Sequence, residues 1–433
     1  MKRTCGLLLS FVLVLGTANA AADTRIIVRN TLGSFAMNTT CLLLGCRVQR
    51  GLGDPNSQLF LITTPSALNP VTFILKLLLQ PGIAGIEIDQ KSKVTAADAG
   101  SVPPALTDNA PYNYYGATVK HGYVFQPATS IIGLGNTQAK WGTRGGGTVA
   151  VIDTGVDPDH PVLKPVLLPG YDFTRNSNSA NEKGDVTQST VAVLDNAQPA
   201  YVNQSTVAVL DQSTVAVLDD QKYAAFGHGT MTAGVIHLVA PSAKIMPLKA
   251  FGADGSGYVS DVMRAIYYAQ KNGATVINMS FSFQAYSPEL KNAVNYATNR
   301  GVICVASAGN ESTSALVYPA AFSNVMGVAS TSNFDALSNF SNYGSGDVFV
   351  GAPGEGIVTT YPYGTYAAVW GTSFSAPFVS GTAALLEGVS SSSNEATSET
   401  SISNAKDLGP ALNHGRLDVY QAMQAWRTRL GLQ

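Results

Sequence analysis

Charge is scarce in this chain. Charged residues make up 12% of its 433 positions, well below the ~25% usual for soluble proteins. The formal net charge is −2 at pH 7, so there is no basic excess to neutralise nucleic-acid phosphates or anionic lipids. We therefore expect no nucleic-acid partner and no electrostatic attachment to a membrane.

Cysteine is equally rare, with four residues in the whole chain. Cys5 lies near the N-terminus, while Cys41 and Cys46 lie close together ahead of the main domain. Cys304 stands alone in the apolar run VICVASAGN, where it is expected to be a small buried hydrophobic residue. The main domain should therefore lack an internal disulfide, and no cysteine spacing typical of a metal site is present.

Long hydrophobic runs are missing as well, since no stretch reaches the ~18 apolar residues of a transmembrane helix. Near the N-terminus, Lys2 and Arg3 precede a shorter apolar run, and Ala18-Asn19-Ala20 follows it. This order predicts a secretory signal peptide over residues 1–20, cleaved after Ala20. A retained anchor is disfavoured because the run is too short. We expect a secreted protein, extracellular or periplasmic, with no membrane association after cleavage.

Residues 21–94 have a hydrophobic pattern of their own. RIIVRN, QLFLITT and IAGIEID read as strands, with helices near Met37–Leu44 and Asn69–Leu79 between them. This order predicts a small α+β domain. Residues 95–122 are rich in Ala, Pro, Thr and Asn and are expected to form an exposed linker.

From residue 123 to 433 the pattern changes to alternating strands and helices. TVAVIDTG, KIMPLKAF, TVINMSF and VICVASAG are continuous apolar runs, as found in strands buried on both faces of a parallel sheet. Helical segments are expected at Thr230–Val239, Ser260–Asn272 and Ser287–Arg300. The fold class is therefore α/β, with a doubly wound, mostly parallel sheet and a functional site at the carboxyl ends of its strands. The polar stretch at 390–401 is expected to be a mobile loop.

Three short motifs carry candidate catalytic side chains. Asp153 ends the apolar strand VAVID, His228 opens a helix in HGT, and Ser373 opens another in GTSFSAP. Each residue alone has a common structural explanation, such as a cap or a turn. Their occurrence together, in the order Asp, His, Ser in an α/β domain, favours a nucleophilic serine activated by a histidine.

These motifs resemble those of the subtilisin (subtilase) family of serine endopeptidases, from about residue 123 to the end of the chain. His228 would take the proton of Ser373 and pass it to the leaving amine, while Asp153 would orient the imidazole. The resemblance also implies that Asn310 donates its side-chain amide to the oxyanion, together with the backbone amide of Ser373.

The resemblance further implies an extended peptide substrate held between two edge segments by added β-pairing. A pocket for the residue before the cut is expected to accept apolar or aromatic side chains. The implied substrate-binding residues are Gly255, Ser256, Gly257, Ser280, Phe281, Ser282 and Val317.

The family's strong calcium site, a loop after the histidine helix, is not expected in this chain. Gly234 to Pro241 runs directly into the next strand, and Val162 stands where a ligating Asp is common. We expect no metal and no other cofactor. The alternative is one or more weak calcium sites at the surface.

The N-terminal domain resembles the family's inhibitory propeptide, including the ending PGIAGIEID. This implies a chain that carries its own intramolecular inhibitor and matures by a cut between Lys91 and Gln126, in the linker. The mature enzyme is expected to be a monomer that acts on polypeptides.

Two other functions are compatible with the motifs. One is a catalytically silent binding protein that keeps the fold, and the other is a hydrolase of small esters or peptides. The intact triad and Asn310 argue against the first, and the grooves for an extended peptide argue against the second.

An eight-residue word, QSTVAVLD, occurs three times between Asp153 and His228, at 188–195, 204–211 and 212–219. Its even length keeps the same residues on the same face of a strand, whereas no steady apolar stripe would form on a helix. We predict extended β structure, with a hairpin turning at 210–213. The repeat supplies no histidine, cysteine or glycine. The insertion over 188–219 is expected to be non-catalytic and to lie on the rim of the active site, with a role in narrowing the substrate cleft as the alternative.

Overall fold

The computed structural model describes residues 23–64, 69–94, 101–186, 207–209 and 223–432. The predicted signal peptide and most of the repeat insertion lie outside these ranges. The chain divides into two compact units. The first comprises residues 1–51 and 55–88, and the second comprises residues 52–54 and 89–433.

The first unit is a four-stranded antiparallel sheet with two helices. The hydrophobic pattern predicts both helices and three of the strands, and Arg47–Gly51 is an additional strand. The core of the unit is formed by alternate residues of the central strands, Ile26 and Val28 with Phe60 and Ile62, packed against the helices. A disulfide joins Cys41 to Cys46. The strands, in sheet order β2-β3-β1-β4, and the helices are β1 (Thr24–Asn30), β2 (Arg47–Gly51), β3 (Leu59–Thr64), β4 (Ile83–Ile88), α1 (Gly33–Leu44) and α2 (Pro70–Leu78).

The second unit contains the remaining elements. None of the described helices is both long and apolar enough to cross a membrane. Its strands are β5 (Lys91–Lys93), β6 (Pro111–Tyr114), β7 (Ala117–Lys120), β8 (Thr148–Asp153), β9 (Tyr171–Asp172), β10 (Val207–Val209), β11 (Lys244–Lys249), β12 (Ser256–Tyr258), β13 (Val276–Met279), β14 (Ile303–Ser307), β15 (Met326–Thr331), β16 (Val350–Pro353), β17 (Ile357–Tyr361) and β18 (Thr365–Val369). Its helices are α3 (Pro104–Thr107), α4 (His121–Val124), α5 (Pro127–Ile131), α6 (Leu134–Trp141), α7 (His228–Val239), α8 (Val259–Lys271), α9 (Pro288–Thr298), α10 (Thr372–Glu387), α11 (Glu395–Ile402) and α12 (Val419–Arg429).

The main sheet has seven strands in the order β16-β15-β14-β13-β8-β11-β9, and every pairing is parallel. Two helix pairs pack on it, α7 with α10 and α8 with α9. Every residue of β13 and β14 is buried, and only the first residue of β8 is partly exposed. Such burial explains the unbroken apolar runs in the sequence. The predicted doubly wound α/β fold is confirmed.

Sheet order determines where the site lies. Strands β14, β13 and β8 are neighbours, and their carboxyl ends lead into three of the candidate residues. Asp153 is the last residue of β8, Ser280 follows β13, and Asn310 lies three residues beyond β14. The parallel sheet therefore delivers these side chains to one edge.

The prediction of an exposed linker over 95–122 is wrong for residues 101–122, the part that the structure describes. Residues 101–122 form the short helix α3 and the β6–β7 hairpin. Leu106, Tyr114 and Val119 are buried in the main core of the second unit, and the Tyr114 hydroxyl donates to the carbonyl of Leu238. The sequence pattern favours a linker here because the apolar residues are widely spaced, and the hydrogen-bond partner of Tyr114 lies 124 positions away.

The polar stretch at 390–401 is also more ordered than expected. Asn394 and Thr397 form a reciprocal capping box that starts helix α11. Ser398, Ser401 and Ile402 are buried, so the helix is held on the second unit.

One copy of the repeat is partly described. Val207–Val209 forms strand β10, which pairs antiparallel with β18 in a three-stranded sheet that also contains β17. This agrees with the predicted extended structure. The predicted hairpin at 210–213 and the other two copies lie outside the described residues.

Candidate active site

Asp153 is fixed at the carboxyl end of β8. It is 1% exposed. Its Oδ1 atom accepts the backbone N–H of Thr154 at 2.7 Å, and Oδ2 accepts the hydroxyl of Thr232 at 3.3 Å. A buried carboxylate with this many donors is held in one orientation.

Two glycines allow the start of α7 to approach β8. Gly155 has φ of +100°, a conformation that side chains rarely permit. A Cβ on Gly229 would lie 1.9 Å from the carbonyl oxygen of Gly155. This close approach brings His228 against Asp153.

The imidazole of His228 makes the expected contact with Asp153. Its Nδ1 lies 2.7 Å from Oδ1 of Asp153, and the ring is buried. The ring of Phe374 covers it, with centroids 5.2 Å apart. Among the described residues, Nε2 has no hydrogen-bond partner. The nitrogen distal to Asp153 is therefore available for a proton from another group.

Ser373 is the second residue of α10, at the positive end of the helix dipole. Its hydroxyl donates to the backbone carbonyl of Ser280 at 3.2 Å. Pro377 stands four positions later and has no N–H, so the carbonyl of Ser373 lacks its helical donor. The hydroxyl of Ser280 fills that place at 2.7 Å. The proline thus permits a side-chain tie between α10 and the end of β13.

Asn310 is oriented by the residue before Ser373. Its Oδ1 accepts both the backbone N–H and the hydroxyl of Thr372, each at 2.9 Å. Because Oδ1 is occupied in this way, the orientation of the amide group is determined. The side chain lies beside the first turn of α10, as an oxyanion donor requires.

The two expected substrate-binding segments flank a piece of the chain itself. Strand β5 pairs antiparallel with β12, with Ser256 opposite Lys93 and Gly257 opposite Ser92. On the other side, the hydroxyl of Ser92 donates to the carbonyl of Ser282 at 2.6 Å. An extended segment therefore lies between the segments that contain Gly255–Gly257 and Ser280–Ser282.

The same segment is tied down at both ends. The carboxylate of Asp89 accepts the amide and the hydroxyl of Ser260 at 2.9 and 2.8 Å. The N–H of Val94 donates to the carbonyl of Gly255 at 2.8 Å. Residues 89–94 belong to the second compact unit, which corrects the expected domain boundary at residue 94.

Two of the residues expected to bind substrate are buried apolar side chains. Phe281 is buried and packs on Phe251 and Phe283, with ring centroids 4.8 and 5.9 Å away. Val317 is buried beside Tyr318, whose backbone exchanges two hydrogen bonds with Phe283. The pocket role of Val317 stays a prediction.

Two buried charged residues beside the site, Lys249 and Glu182, are not predicted from the sequence. Lys249 is fully buried and donates from Nζ to the carbonyls of Thr154 and Phe251, each at 2.7 Å. Glu182 is also fully buried and lies behind Asp153 and His228. Neither has a signal in the sequence, since Lys249 ends an ordinary strand and Glu182 lies in a polar stretch.

The residues at the family's strong calcium site do not fit that ion. The connection from Ala240 to Ala243 offers one side-chain oxygen, on Ser242, and no carboxylate, while Val162 is buried. A calcium ion takes ~6–8 oxygen ligands. Within the described ranges, no group of three or more His, Cys, Asp or Glu side chains is placed to hold a metal. The expected lack of a cofactor stays a prediction.

A parallel α/β sheet with a buried Asp–His pair, and a serine opening the helix packed beside the histidine helix, defines a serine hydrolase. Comparison with protein families gives the same result. Residues 144–418 match the model of the peptidase S8 (subtilase) family, and the chain belongs to that family. It is a serine endopeptidase of the subtilisin type.

Two relatives support this assignment. The chain is 34% identical over 321 residues to the thermophilic serine proteinase of Bacillus sp. (strain AK1), covering 71% of this chain and 68% of that one. It is 34% identical over 291 residues to thermitase of Thermoactinomyces vulgaris, covering 64% of this chain and 89% of thermitase.

Among solved structures, fervidolysin from Fervidobacterium pennivorans, a keratinolytic enzyme related to subtilisin, superposes with a TM-score of 0.69. The match covers 93% of this chain and 61% of the fervidolysin chain, at 23% identity. The fold similarity therefore extends over nearly all of this chain.

Proposed function

We propose that this protein is a secreted endopeptidase that cleaves extended polypeptides through an acyl-enzyme on Ser373. The observation that carries the proposal is the buried Asp153–His228 pair, with Nε2 of His228 available on the side away from the carboxylate. His228 removes the proton from the Ser373 hydroxyl as the oxygen attacks the peptide carbonyl. Asp153 keeps Nδ1 protonated and stabilises the imidazolium that results.

The developing oxyanion needs donors fixed in advance. In this proposal they are the side-chain amide of Asn310 and the backbone amide of Ser373. Thr372 holds the amide of Asn310 in place through its Oδ1 atom. Collapse of the intermediate expels the amine, which takes the proton from His228, and water then repeats the sequence to release the acid.

The preference for extended substrates is supported by strand β5. Lys91–Lys93 pairs along β12 and contacts Ser282 on its other side. Such pairing uses backbone groups that every peptide has, so it binds long chains without requiring one sequence. A small ester would leave these backbone donors and acceptors without peptide partners.

Self-maturation follows from the same contacts. In the groove, the N–H of Val94 donates to the carbonyl of Gly255. We infer that residues 21–94 act as the inhibitory propeptide and that the cut falls between Val94 and Ser101. Before the cut, the segment 89–94 occupies the place of a substrate. The predicted signal peptide over 1–20 directs the chain out of the cytoplasm before this maturation.

Active-site labelling tests this function. A fluorophosphonate probe should modify the parent once, at Ser373, and abolish cleavage of casein. The Ser373→Ala variant should neither react nor cleave. Ser375→Ala is the matched control, since Ser375 is a buried serine of the same helix whose hydroxyl donates to the carbonyl of Pro353. Labelling or cleavage retained in Ser373→Ala would refute the proposal.

A further inference from the structure

Glu182 is a buried acid that the reaction described above does not use. It begins a short 3-10 turn, Glu182–Asp185, and its side chain is fully buried. The turn lies in sequence between the two proposed catalytic residues, just ahead of the repeat insertion. Carboxyl groups are rarely buried without partners that compensate for the lost hydration.

The partners of Glu182 are the chain neighbours of the catalytic pair. Its Oε2 accepts the hydroxyl of Thr154 and the backbone N–H of Gly227, each at 3.0 Å. Its Oε1 accepts the hydroxyl of Thr230. Thr154 follows Asp153, and Gly227 precedes His228. One carboxyl group thus joins the end of β8 to the start of α7.

Both threonine hydroxyls are already committed as acceptors. The Thr154 oxygen accepts the N–H of Gly229 at 3.0 Å, and the Thr230 oxygen accepts the N–H of Asp157 at 2.8 Å. Each hydroxyl therefore directs its only proton toward Glu182. A side-chain amide at position 182 would have one oxygen for three donors and would present its own N–H₂ to one of them.

We propose that Glu182 is a positioning residue that holds Asp153 and His228 at their 2.7 Å separation. It does not touch substrate, and it acts through Thr154, Gly227 and Thr230. The inference rests on the catalytic roles proposed for Asp153 and His228. A misplacement of ~1 Å in such a pair lowers the rate by about 100-fold.

The surrounding charges give this role a dependence on pH. Burial raises the pKa of Glu182 to about 8, while the two threonine hydroxyls and Lys249 act to lower it and Asp153 acts to raise it. Tyr361 also faces the carboxyl from β17. Burial raises the pKa of the Tyr361 phenol, and the charge of Glu182 raises it further. Lys249 itself bonds Asp185 at 2.7 Å.

The other charged groups near the turn are paired with one another. Lys183 bonds Asp157 at 2.6 Å and Asp159 at 2.9 Å, and Arg175 bonds Asp172 and Asp185. The ionised carboxylate accepts all three of its donors, whereas a proton on Glu182 displaces one. Positioning should therefore improve as pH rises through about 8.

The test compares Glu182→Gln with the parent and with Gly184→Ala, a control in the same turn. Active enzyme is counted by titration with the fluorophosphonate. We expect kcat to fall about 10- to 100-fold in Glu182→Gln with KM changed less than threefold. The parent's kcat should rise through about pH 8, and that rise should be missing in Glu182→Gln. Gly184→Ala should stay within threefold, because Gly184 is exposed and a Cβ there would meet no atom within 4 Å.

A second pair of variants covers failure of Glu182→Gln to fold. Thr154→Val removes the hydroxyl at constant shape and should lower kcat, whereas Thr154→Ser keeps the hydroxyl and should restore it. A lower melting temperature with unchanged kcat in Glu182→Gln and Thr154→Val would overturn the inference. If Ser373→Ala is inactive in the same assays, an unchanged kcat in Glu182→Gln and Thr154→Val refutes the positioning role and leaves the proposed function intact. An active Ser373→Ala would instead refute the proposed function.

Discussion

The imidazole Nδ1 of His228 lies 2.7 Å from Oδ1 of Asp153, although 75 residues separate them in sequence. The same Oδ1 accepts the N–H of Thr154 at 2.7 Å. The carboxylate is thus anchored by its own backbone while it contacts the histidine. This arrangement places one negative charge where an imidazolium would form, with both groups buried.

Replacing that charge should reduce the chemical step. In Asp153→Asn the imidazolium loses its counter-charge, and the amide favours the wrong tautomer of His228. We expect kcat to fall by about 10⁴-fold with little change in KM. Thr232→Val is the matched control, because it removes the 3.3 Å hydroxyl contact to Asp153 and keeps the charge. Equal losses in both variants, measured by steady-state kinetics, would contradict the role of the charge.

Asn310 should matter for the transition state alone. Asn310→Ala is expected to lower kcat by ~10²–10³-fold and to leave KM nearly unchanged, the size of effect that an oxyanion donor has in subtilisin. Thr372→Val removes one of the two contacts that orient Asn310 and retains the backbone one. It should give a smaller loss. A rise in KM with constant kcat would indicate a substrate-binding role instead.

Much of this site could be predicted from the sequence because short motifs carry it. Asp153 ends an apolar strand, and Ser373 lies at the start of a helix after Gly371-Thr372, so each has a local pattern. Asn310 could be found only through the family resemblance. The contacts that bring these residues together depend on sheet order, because β8, β13 and β14 lie side by side in the main sheet.

The parts that could not be predicted depend on distant contacts. Glu182 belongs to a polar stretch without periodicity, and its partners come from β8 and α7. Gln126 bonds Val358 across 232 positions, through the carbonyl and the amide of that residue. No local pattern encodes such pairs. For the same reason, residues 101–122 were mistaken for a linker.

Acid should destabilise the folded enzyme through His237. This buried side chain lies 3.3 Å from the hydroxyl of Tyr123. Burial lowers its pKa to about 4, and nearby His160 contributes. The unfolded state, with a pKa near ~6.5, binds more protons between these values. Stability is therefore complete above about pH 6.5 and lost as pH falls toward 4, by roughly 3 kcal/mol over the window.

The measurement is the free energy of unfolding in urea from pH 4 to 7, made in the Ser373→Ala background to prevent autolysis. His237→Gln should flatten the pH dependence. His414→Gln replaces an exposed histidine and should leave the dependence as in the parent. An unchanged slope in His237→Gln would show that other groups control the acid loss.

The three copies of the repeat should be able to replace one another as the strand that pairs with β18. Val207–Val209 forms this strand, and the same VAV occurs in the other two copies. Ala208→Pro removes a backbone N–H from the middle of β10, and an identical run from another copy is expected to replace the strand. Ala208→Pro alone should preserve hydrogen-exchange protection of Thr365–Val369. The triple change, with Ala192→Pro and Ala216→Pro, should remove it. Equal loss in both would show that only the second copy fits.

The N-terminus of the protein decides whether Ser373 cleaves its own chain. It is read by mass spectrometry for the parent and for Ser373→Ala, each expressed as the full chain. We expect the parent to begin between residues 95 and 101, directly beyond the segment held at Val94 and Gly255. Ser373→Ala should retain residues 21–94 and be trimmed at that place when active parent is added. Identical N-termini in the two proteins, each expressed alone, would contradict self-maturation by Ser373.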